Sequence, residues 1–340
     1  MNNRYEPFLL PGAINLVFAD GDFVSQWPEE LAPGASLTLR EAPAEDEAMG
    51  IVLRLDRGVE LDRPVHVAQI ATRHGLPEQR LMLEHECIAS PESHVTFIES
   101  HHSLEGVVQA SSARCRLRLG ERARVVHLKV RQRGHCGTLE STSFVSQEAN
   151  SHYLSHEINL SGEETRREIV ATLNGAGACC ELLGLSLARR RQRMSARTRV
   201  VHNQPACETI ELYKAIAGDY AEMSFDGLIR VERNAQQARA QQTNRNLLLS
   251  NGARMKSIPR LEIYADDVRC CHGSTTGELD EEQIFYLRTR GFAPEIARAF
   301  LVYAFASEVL EMLPFAPLRE RLATELLTLL PGGQAIGEAA

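Results

Sequence analysis

The sequence predicts a mainly β fold followed by a helical module, and three features carry this prediction. Short runs that alternate apolar and polar residues recur from about residue 80. Turns rich in small residues separate these runs, and the pattern becomes helical after Gly277. Many short strands with tight turns are typical of a β-sandwich or of a stacked solenoid. The irregular strand spacing does not decide between the two.

We predict a short N-terminal region of mixed structure over residues 1–60, where Pro11, Pro28, Pro33 and the acidic stretch 41–47 interrupt any long element. A β-domain is predicted over 61–277. Its clearest strand signals are Arg80–Cys87, Val95–Ile98, Cys115–Leu119, Val125–Val130, Glu168–Leu173, Leu182–Leu187 and Gly227–Val231. Its clearest turn signals are Gly120–Ala123, Asn174–Ala178 and Asn251–Ala253.

A C-terminal helical domain is predicted over 278–333, followed by a tail at 334–340. Asp280 and Gln283 fit a capping box at the start of a first helix that ends near Gly291. A second helix starts at Pro294, a residue suited to the first helical position. Its predicted apolar face consists of Ile296, Ala299, Phe300, Tyr303 and Leu310, and a third helix carries Leu318, Leu322, Leu326 and Leu329.

Composition excludes several classes of function. The formal net charge of -8 argues against a nucleic-acid-binding protein, which would present a basic surface. No apolar run approaches the roughly 18 residues that cross a bilayer, so we expect no membrane association. The first residues lack a basic segment followed by an apolar one, which favours a cytoplasmic protein with free thiols.

The segment Leu261–Thr275 is the most informative part of the chain, and it is predicted to be a strand. Because side chains alternate along a strand, Cys270 and His272 should share one face. Cys271 should point to the other face, where a core position is favoured. A thiol beside an imidazole can hold a soft metal or cluster iron. The residues alone favour a buried cysteine and a hydrogen-bonded histidine, since two ligands do not complete a metal site.

A nucleotide site is not predicted on this chain. A phosphate-binding loop needs glycine before lysine and then serine or threonine. The three lysines are Lys129, Lys214 and Lys256, and none follows a glycine. The Gly175–Gly177 segment is predicted to be a turn.

The segment around Cys270, with the acidic turn and the Phe285–Gly291 run that follow it, resembles the SufB/SufD family of iron–sulfur cluster assembly proteins. The family pattern is similar to Leu261–Val268, then a basic residue, cysteine, serine, histidine and glycine. Cys270 and His272 match it, whereas Cys271 replaces the serine. The resemblance is dense over about residues 200–333. The run Gln242–Asn246 lacks the cysteine of SufB-type proteins, which favours the SufD branch.

The resemblance implies a right-handed parallel β-helix core with a C-terminal α-helical module. It also implies a non-catalytic scaffold subunit that pairs with a SufB-like protein. Cys270 and His272 would lie near that interface as transient ligands of iron or an iron–sulfur cluster shared with the partner. Flavin binding by the assembled complex is a further implication, for which this sequence carries no motif.

The resemblance further implies that a SufC-like ATPase docks on the C-terminal helices. Five residues are expected in that docking region: Tyr286, Arg290, Gly291, Phe300 and Tyr303. A homodimer of the isolated chain is also expected, and the alternative function is a SufB-like scaffold that assembles a cluster as a homodimer. A polysaccharide-active β-helix enzyme is disfavoured, because the carboxylate clusters of that class are not visible.

Overall fold

The computed structural model describes residues 3–25, 31–40, 48–73, 80–132 and 137–337. The predicted break at Pro28 and the acidic stretch 41–47 lie outside these residues. Within them a short 3₁₀-helix, Asn3–Phe8, precedes the strands. The strands are β1 Ile14–Ala19, β2 Asp22–Phe23, β3 Ala35–Arg40, β4 Gly50–Leu55, β5 Val65–Ala71, β6 Arg80–Ala89, β7 His94–Ser103, β8 Ala110–Leu119, β9 Arg124–Arg131, β10 Thr138–Gln147, β11 His152–Asn159, β12 Glu164–Leu173, β13 Cys179–Ala188, β14 Arg193–His202, β15 Glu208–Ala217, β16 Glu222–Val231, β17 Ala238–Leu248, β18 Arg254–Ile263 and β19 Val268–Glu278.

These strands form a parallel β-solenoid, so the predicted fold class is confirmed. One sheet, sheet A, has the order β19-β17-β15-β13-β11-β9-β7-β5-β1-β2, and sheet B has the order β18-β16-β14-β12-β10-β8-β6-β4-β3. Each coil therefore contributes one strand to each sheet, giving about 7 turns. The pairing is parallel except for β1 with β2 and β3 with β4. Each strand stacks in register on the strand of the preceding coil in the same sheet, so the same alternate positions are buried in every coil.

The sheets continue across the predicted boundary at residue 60. Strand β1 pairs with β5 in sheet A, and β4 pairs with β6 in sheet B. The division of the chain into domains stays a prediction. At the other boundary, β19 runs one residue past Gly277.

All seven strand predictions fall within observed strands, and the predicted turn at Gly175–Gly177 joins β12 to β13. Gly177 has a φ of 71°, a left-handed conformation that glycine adopts without a Cβ clash. The strand predicted over Leu261–Thr275 is instead interrupted: β18 ends at Ile263 and β19 begins at Val268. The chain turns there to pass from sheet B to sheet A.

Apolar side chains from both sheets fill most of the solenoid interior, but charged groups lie among them. Glu99 accepts a hydrogen bond from His127, with 3.1 Å between the oxygen and Nε2. Lys129 forms an ion pair with Glu157, which also accepts a hydrogen bond from Tyr213 at 3.2 Å. These partners compensate for the cost of burying charge.

In the described part of the chain four helices follow: α1 Glu281–Thr289, α2 Pro294–Leu310, α3 Ala316–Leu329 and α4 Gln334–Gly337. Asp280 caps α1 by accepting a hydrogen bond from the Glu282 amide at 2.8 Å, and Pro294 begins α2. Helix α4 lies in the predicted tail. None of the helices in the described ranges is long and apolar enough to span a membrane.

Helices α2 and α3 cover part of the outer face of sheet A. Leu183 and Leu185 of β13 belong to one buried cluster with Val302 and Leu322, whereas Cys180 and Leu182 point into the solenoid. The buried stripe of α2 is Ala297, Ala299, Val302, Ala306, Val309 and Leu310. The prediction that Phe300 belongs to the buried face of α2 is therefore wrong, because this side chain is 43% exposed.

Candidate functional site

The C-terminal end of the solenoid presents two strands that are paired on one side only. Strand β19 is terminal in sheet A and β18 is terminal in sheet B. Backbone amides and carbonyls along such an edge are free to pair with another chain unless a local element covers them. This end of the molecule therefore combines an open sheet edge with the predicted Cys–His pair.

Cys270 and His272 share the face of β19 that continues the solenoid interior. Their register partners on β17 are Ala240 and Gln242, both buried. Cys270 is half-buried against the core, and burial raises the pKa of its thiol despite a hydrogen bond from the Ala240 backbone. His272 is exposed, because no further coil stacks on β19. A partner at this edge could reach both side chains.

The prediction that Cys271 fills a core position is wrong. Its side chain is exposed and lies beside the exposed Gln241 on the outer face of sheet A. The alternation along the strand was predicted correctly, but the C-terminal helices do not cover this part of that face.

A thiol and an imidazole supply two ligands of the soft-to-borderline type that iron and zinc accept in proteins. Among the described residues, no group of three potential metal ligands includes Cys270 or His272. Any iron or cluster held here therefore needs ligands from another chain or from the cargo itself. The thiol must also lose its proton to act as a ligand.

Glu211 is a buried residue near this site that the sequence argument missed. Gln242, the register partner of His272, donates a hydrogen bond to the Glu211 carboxylate at 2.8 Å, and Thr198 donates another at 3.1 Å. Burial raises the pKa of Glu211 to about 7, although both hydrogen bonds act to lower it. The sequence signal that could have revealed Glu211 is a glutamate at a position of β15 that points inward, between the buried Thr209 and Tyr213.

The expected ATPase-docking residues lie around the turn between α1 and α2. Tyr286 is 57% exposed, and Arg290 contacts it through a hydrogen bond of 3.1 Å and a cation–π contact. Gly291 has a φ of 93° in that turn. Phe300 is exposed beside Phe292, whereas Tyr303 is half-buried and packs against the cluster beneath α2. Four of the five thus surround an exposed aromatic surface, to which Phe285 and Phe292 also contribute.

Comparison with known proteins identifies the family of this fold and site. Residues 74–305 match the family described as SUF system FeS cluster assembly, SufBD core domain. The iron–sulfur cluster assembly protein SufD of Escherichia coli is 29% identical over 343 residues, covering 94% of this chain and 80% of that protein.

Two further relatives match over shorter regions. An iron–sulfur cluster assembly SufBD family protein of Synechocystis is 36% identical, over 60% of this chain and 45% of its own length. The chloroplastic protein ABCI7 of Arabidopsis thaliana is 34% identical, over 55% of this chain and 40% of its own length. The family match covers more than half of the chain. This chain therefore belongs to the SufBD core family of the SUF system and is a homologue of SufD.

Proposed function

We propose that this chain is a non-catalytic scaffold subunit of a cytoplasmic complex that assembles iron–sulfur clusters. It pairs with a SufB-like subunit through the open edge formed by β18 and β19. Cys270 and His272 contribute transient ligands to iron or a nascent cluster, and the partner provides the others. The observation that carries the proposal is the position of this Cys–His pair on the terminal strand of a parallel sheet.

The helical module binds a SufC-like ATPase through the exposed aromatic residues around the α1–α2 turn. Aromatic and arginine side chains are the types that dominate binding energy at protein interfaces. Helix α2 also packs directly on sheet A. Movement of the bound ATPase would therefore be transmitted through α2 to the solenoid and its open edge. Flavin binding stays an expectation for the assembled complex.

Co-expression with SufB-like and SufC-like proteins of the same organism tests the assembly. Size-exclusion chromatography with light scattering should give a stable mixed complex. A homodimer that ignores both partners would contradict the proposal and favour a homodimeric, SufB-like scaffold.

The role of the Cys–His pair is tested in that complex with His272→Ala and Cys270→Ser. Each variant should assemble normally but deliver clusters to an acceptor protein at least about tenfold more slowly, since perturbing a metal-binding group commonly costs that much. Cys271→Ser is the matched control, because Cys271 lies on the opposite face of the same strand. If both test variants delivered clusters at the normal rate, Cys270 and His272 would have no part in cluster delivery.

A further inference from the structure

A second group of potential metal ligands lies on the outer face of sheet A, away from the open edge. His152 begins β11 and Cys179 begins β13, and the two residues are direct register partners. Glu181 follows Cys179 by two residues and therefore points to the same face. The Nε2 or Nδ1 atom of His152, the Sγ of Cys179 and a carboxylate oxygen of Glu181 all lie within 4.8 Å of one another.

We propose that His152, Cys179 and Glu181 form a binding site for a divalent metal ion of the zinc type, with water in the fourth position. Imidazole, thiolate and carboxylate are the three side-chain ligands that Zn²⁺ accepts, and ligands around a tetrahedral Zn²⁺ lie about 3.5 Å apart. The observed separations need only small side-chain movements to reach this geometry. All three residues are half-buried, so the site is reachable from solvent.

The surrounding structure holds these ligands in place. Strands β11 and β13 are interior strands of a ten-stranded sheet, so their backbone positions are constrained on both sides. His152 Nε2 lies 2.6 Å from Glu181 Oε1, which orients the imidazole beside the thiol.

Charges near the site both favour and oppose a cation. Glu208 is the register partner of Cys179 on the next coil and adds a second carboxylate. Zn²⁺ binds the thiolate form of cysteine, so Cys179 releases its proton as the metal binds. Arg124 opposes binding, because its guanidinium lies 3.3 Å from His152 Nδ1.

The site does not depend on the proposed assembly function, since three strand spacings of about 4.8 Å separate β13 from β19. The test therefore uses the full chain carrying Cys270→Ser, Cys271→Ser and His272→Ala, which removes the Cys–His pair at the open edge. The buried group Glu99, Cys115 and His127 stays in place in every variant, so the comparison with Cys179→Ser separates its contribution. The reduced protein is titrated with Co²⁺ without oxygen, and thiolate-to-cobalt absorption is recorded. Zn²⁺ affinity is then measured by competition with a chromophoric chelator at neutral pH.

The proposal predicts cobalt–thiolate absorption in this background, displacement of the Co²⁺ by Zn²⁺ and a higher melting temperature with Zn²⁺. Cys179→Ser should remove the absorption and weaken Zn²⁺ binding by at least about 100-fold, since loss of even an outer-shell partner costs 10- to 100-fold. Glu181→Gln keeps a hydrogen-bond acceptor for His152 and should also weaken binding. Arg124→Gln should strengthen it.

His94→Ala is the matched control, because His94 lies in the same outer column as Arg124 and His152 but has no cysteine beside it. Circular dichroism checks that each variant is folded. If Cys179→Ser does not fold, the result with Glu181→Gln decides whether the metal site exists. Absorption and Zn²⁺ affinity that survive in folded Cys179→Ser or Glu181→Gln would overturn the proposal. Absence of binding in the background protein would do so as well.

Discussion

Glu211 illustrates how a single buried group couples this protein to pH. One oxygen of its carboxylate accepts hydrogen bonds from Thr198 and Gln242, while the other has no partner among the described residues. Burial therefore favours the protonated form, and the pKa rises from an ordinary 4.5 to about 7. This carboxyl changes its charge near neutral pH, two coils from the Cys–His pair.

Replacing Glu211 with Gln should remove a pH-dependent loss of stability. The folded state binds the proton more tightly than the unfolded chain does, so this group's contribution falls as pH rises from about 4.5 to about 7. Glu211→Gln should therefore raise the free energy of unfolding relative to the parent by at most about 3 kcal/mol at pH 8 and by less than about 1 kcal/mol at pH 5. Urea unfolding at both pH values measures this difference. The control is Glu222→Gln, at an exposed carboxylate, and an equal change in both variants would contradict the prediction.

Helix α2 is held on the solenoid by a polar clamp as well as by apolar packing. Lys214 of β15 donates a hydrogen bond to the Phe305 carbonyl at 2.7 Å and forms an ion pair with Glu308. Its ammonium also lies 4.3 Å from the centroid of the Phe305 ring. Because Lys214 is almost fully buried, these contacts are shielded from water. Arg245 reaches Glu308 as well, but that pair is exposed.

Lys214→Ala should destabilise the protein by about 1–3 kcal/mol, because it removes a hydrogen bond from a charged donor that is shielded from water. Arg245→Ala tests the exposed ion pair on the same helix and should cost no more than about 1 kcal/mol. Thermal or urea unfolding compares the two. Equal losses would mean that the clamp contributes no more than a surface ion pair.

The aromatic surface around the α1–α2 turn yields a prediction about partner binding. Phe300→Ala and Tyr286→Ala should each weaken binding of a SufC-like ATPase by about 2 kcal/mol, the typical loss at an interface residue that dominates affinity. Both side chains are exposed, so stability should hardly change. Phe144→Ala is the control, since Phe144 is an exposed aromatic residue on sheet B. Unchanged ATPase affinity in both test variants, measured by calorimetry, would place the docking surface elsewhere.

At the scale of the whole molecule, the solenoid is a one-dimensional stack whose two ends differ. At the N-terminal end the terminal strands β2 and β3 pair antiparallel to their neighbours, whereas at the C-terminal end the terminal strands β18 and β19 pair parallel to theirs. In such a stack each coil is stabilised mainly by its neighbours, so the terminal coil opens most easily. Cys270 and His272 therefore lie on a coil that is stabilised from one side only.

Amide hydrogen exchange should show this difference directly. In the free chain, amides of β19 should exchange faster than those of the central strands β11 and β13. Binding of a SufB-like partner to the open edge should slow exchange in β18 and β19, while the central strands change little. Mass spectrometry of the free chain and the complex measures both. Protection in β19 that is already complete in the free chain would mean that this edge is not open.

Much of the fold could be predicted from local pattern. Period-2 alternation in runs such as Cys115–Leu119 determines that they are strands, because only a strand places every second side chain on one face. Asp280 and Pro294 similarly mark where α1 and α2 begin. The parity of Cys270 and His272 put them on one face of β19. The family resemblance, rather than the pattern, selected the solenoid over the sandwich.

Tertiary structure decided what the alternating faces contact. Cys271 was assigned to the core because parity does not reveal which face another element covers. The helices cover Leu183 and Leu185 but not Cys271. His152 and Cys179 are 27 residues apart, and only the length of one coil makes them register partners. Local pattern thus determined which segments are strands, where the helices start and which side chains share a face of a strand. Coil stacking and helix packing decided which faces are buried, why the pKa of Glu211 is raised and which potential metal ligands come together.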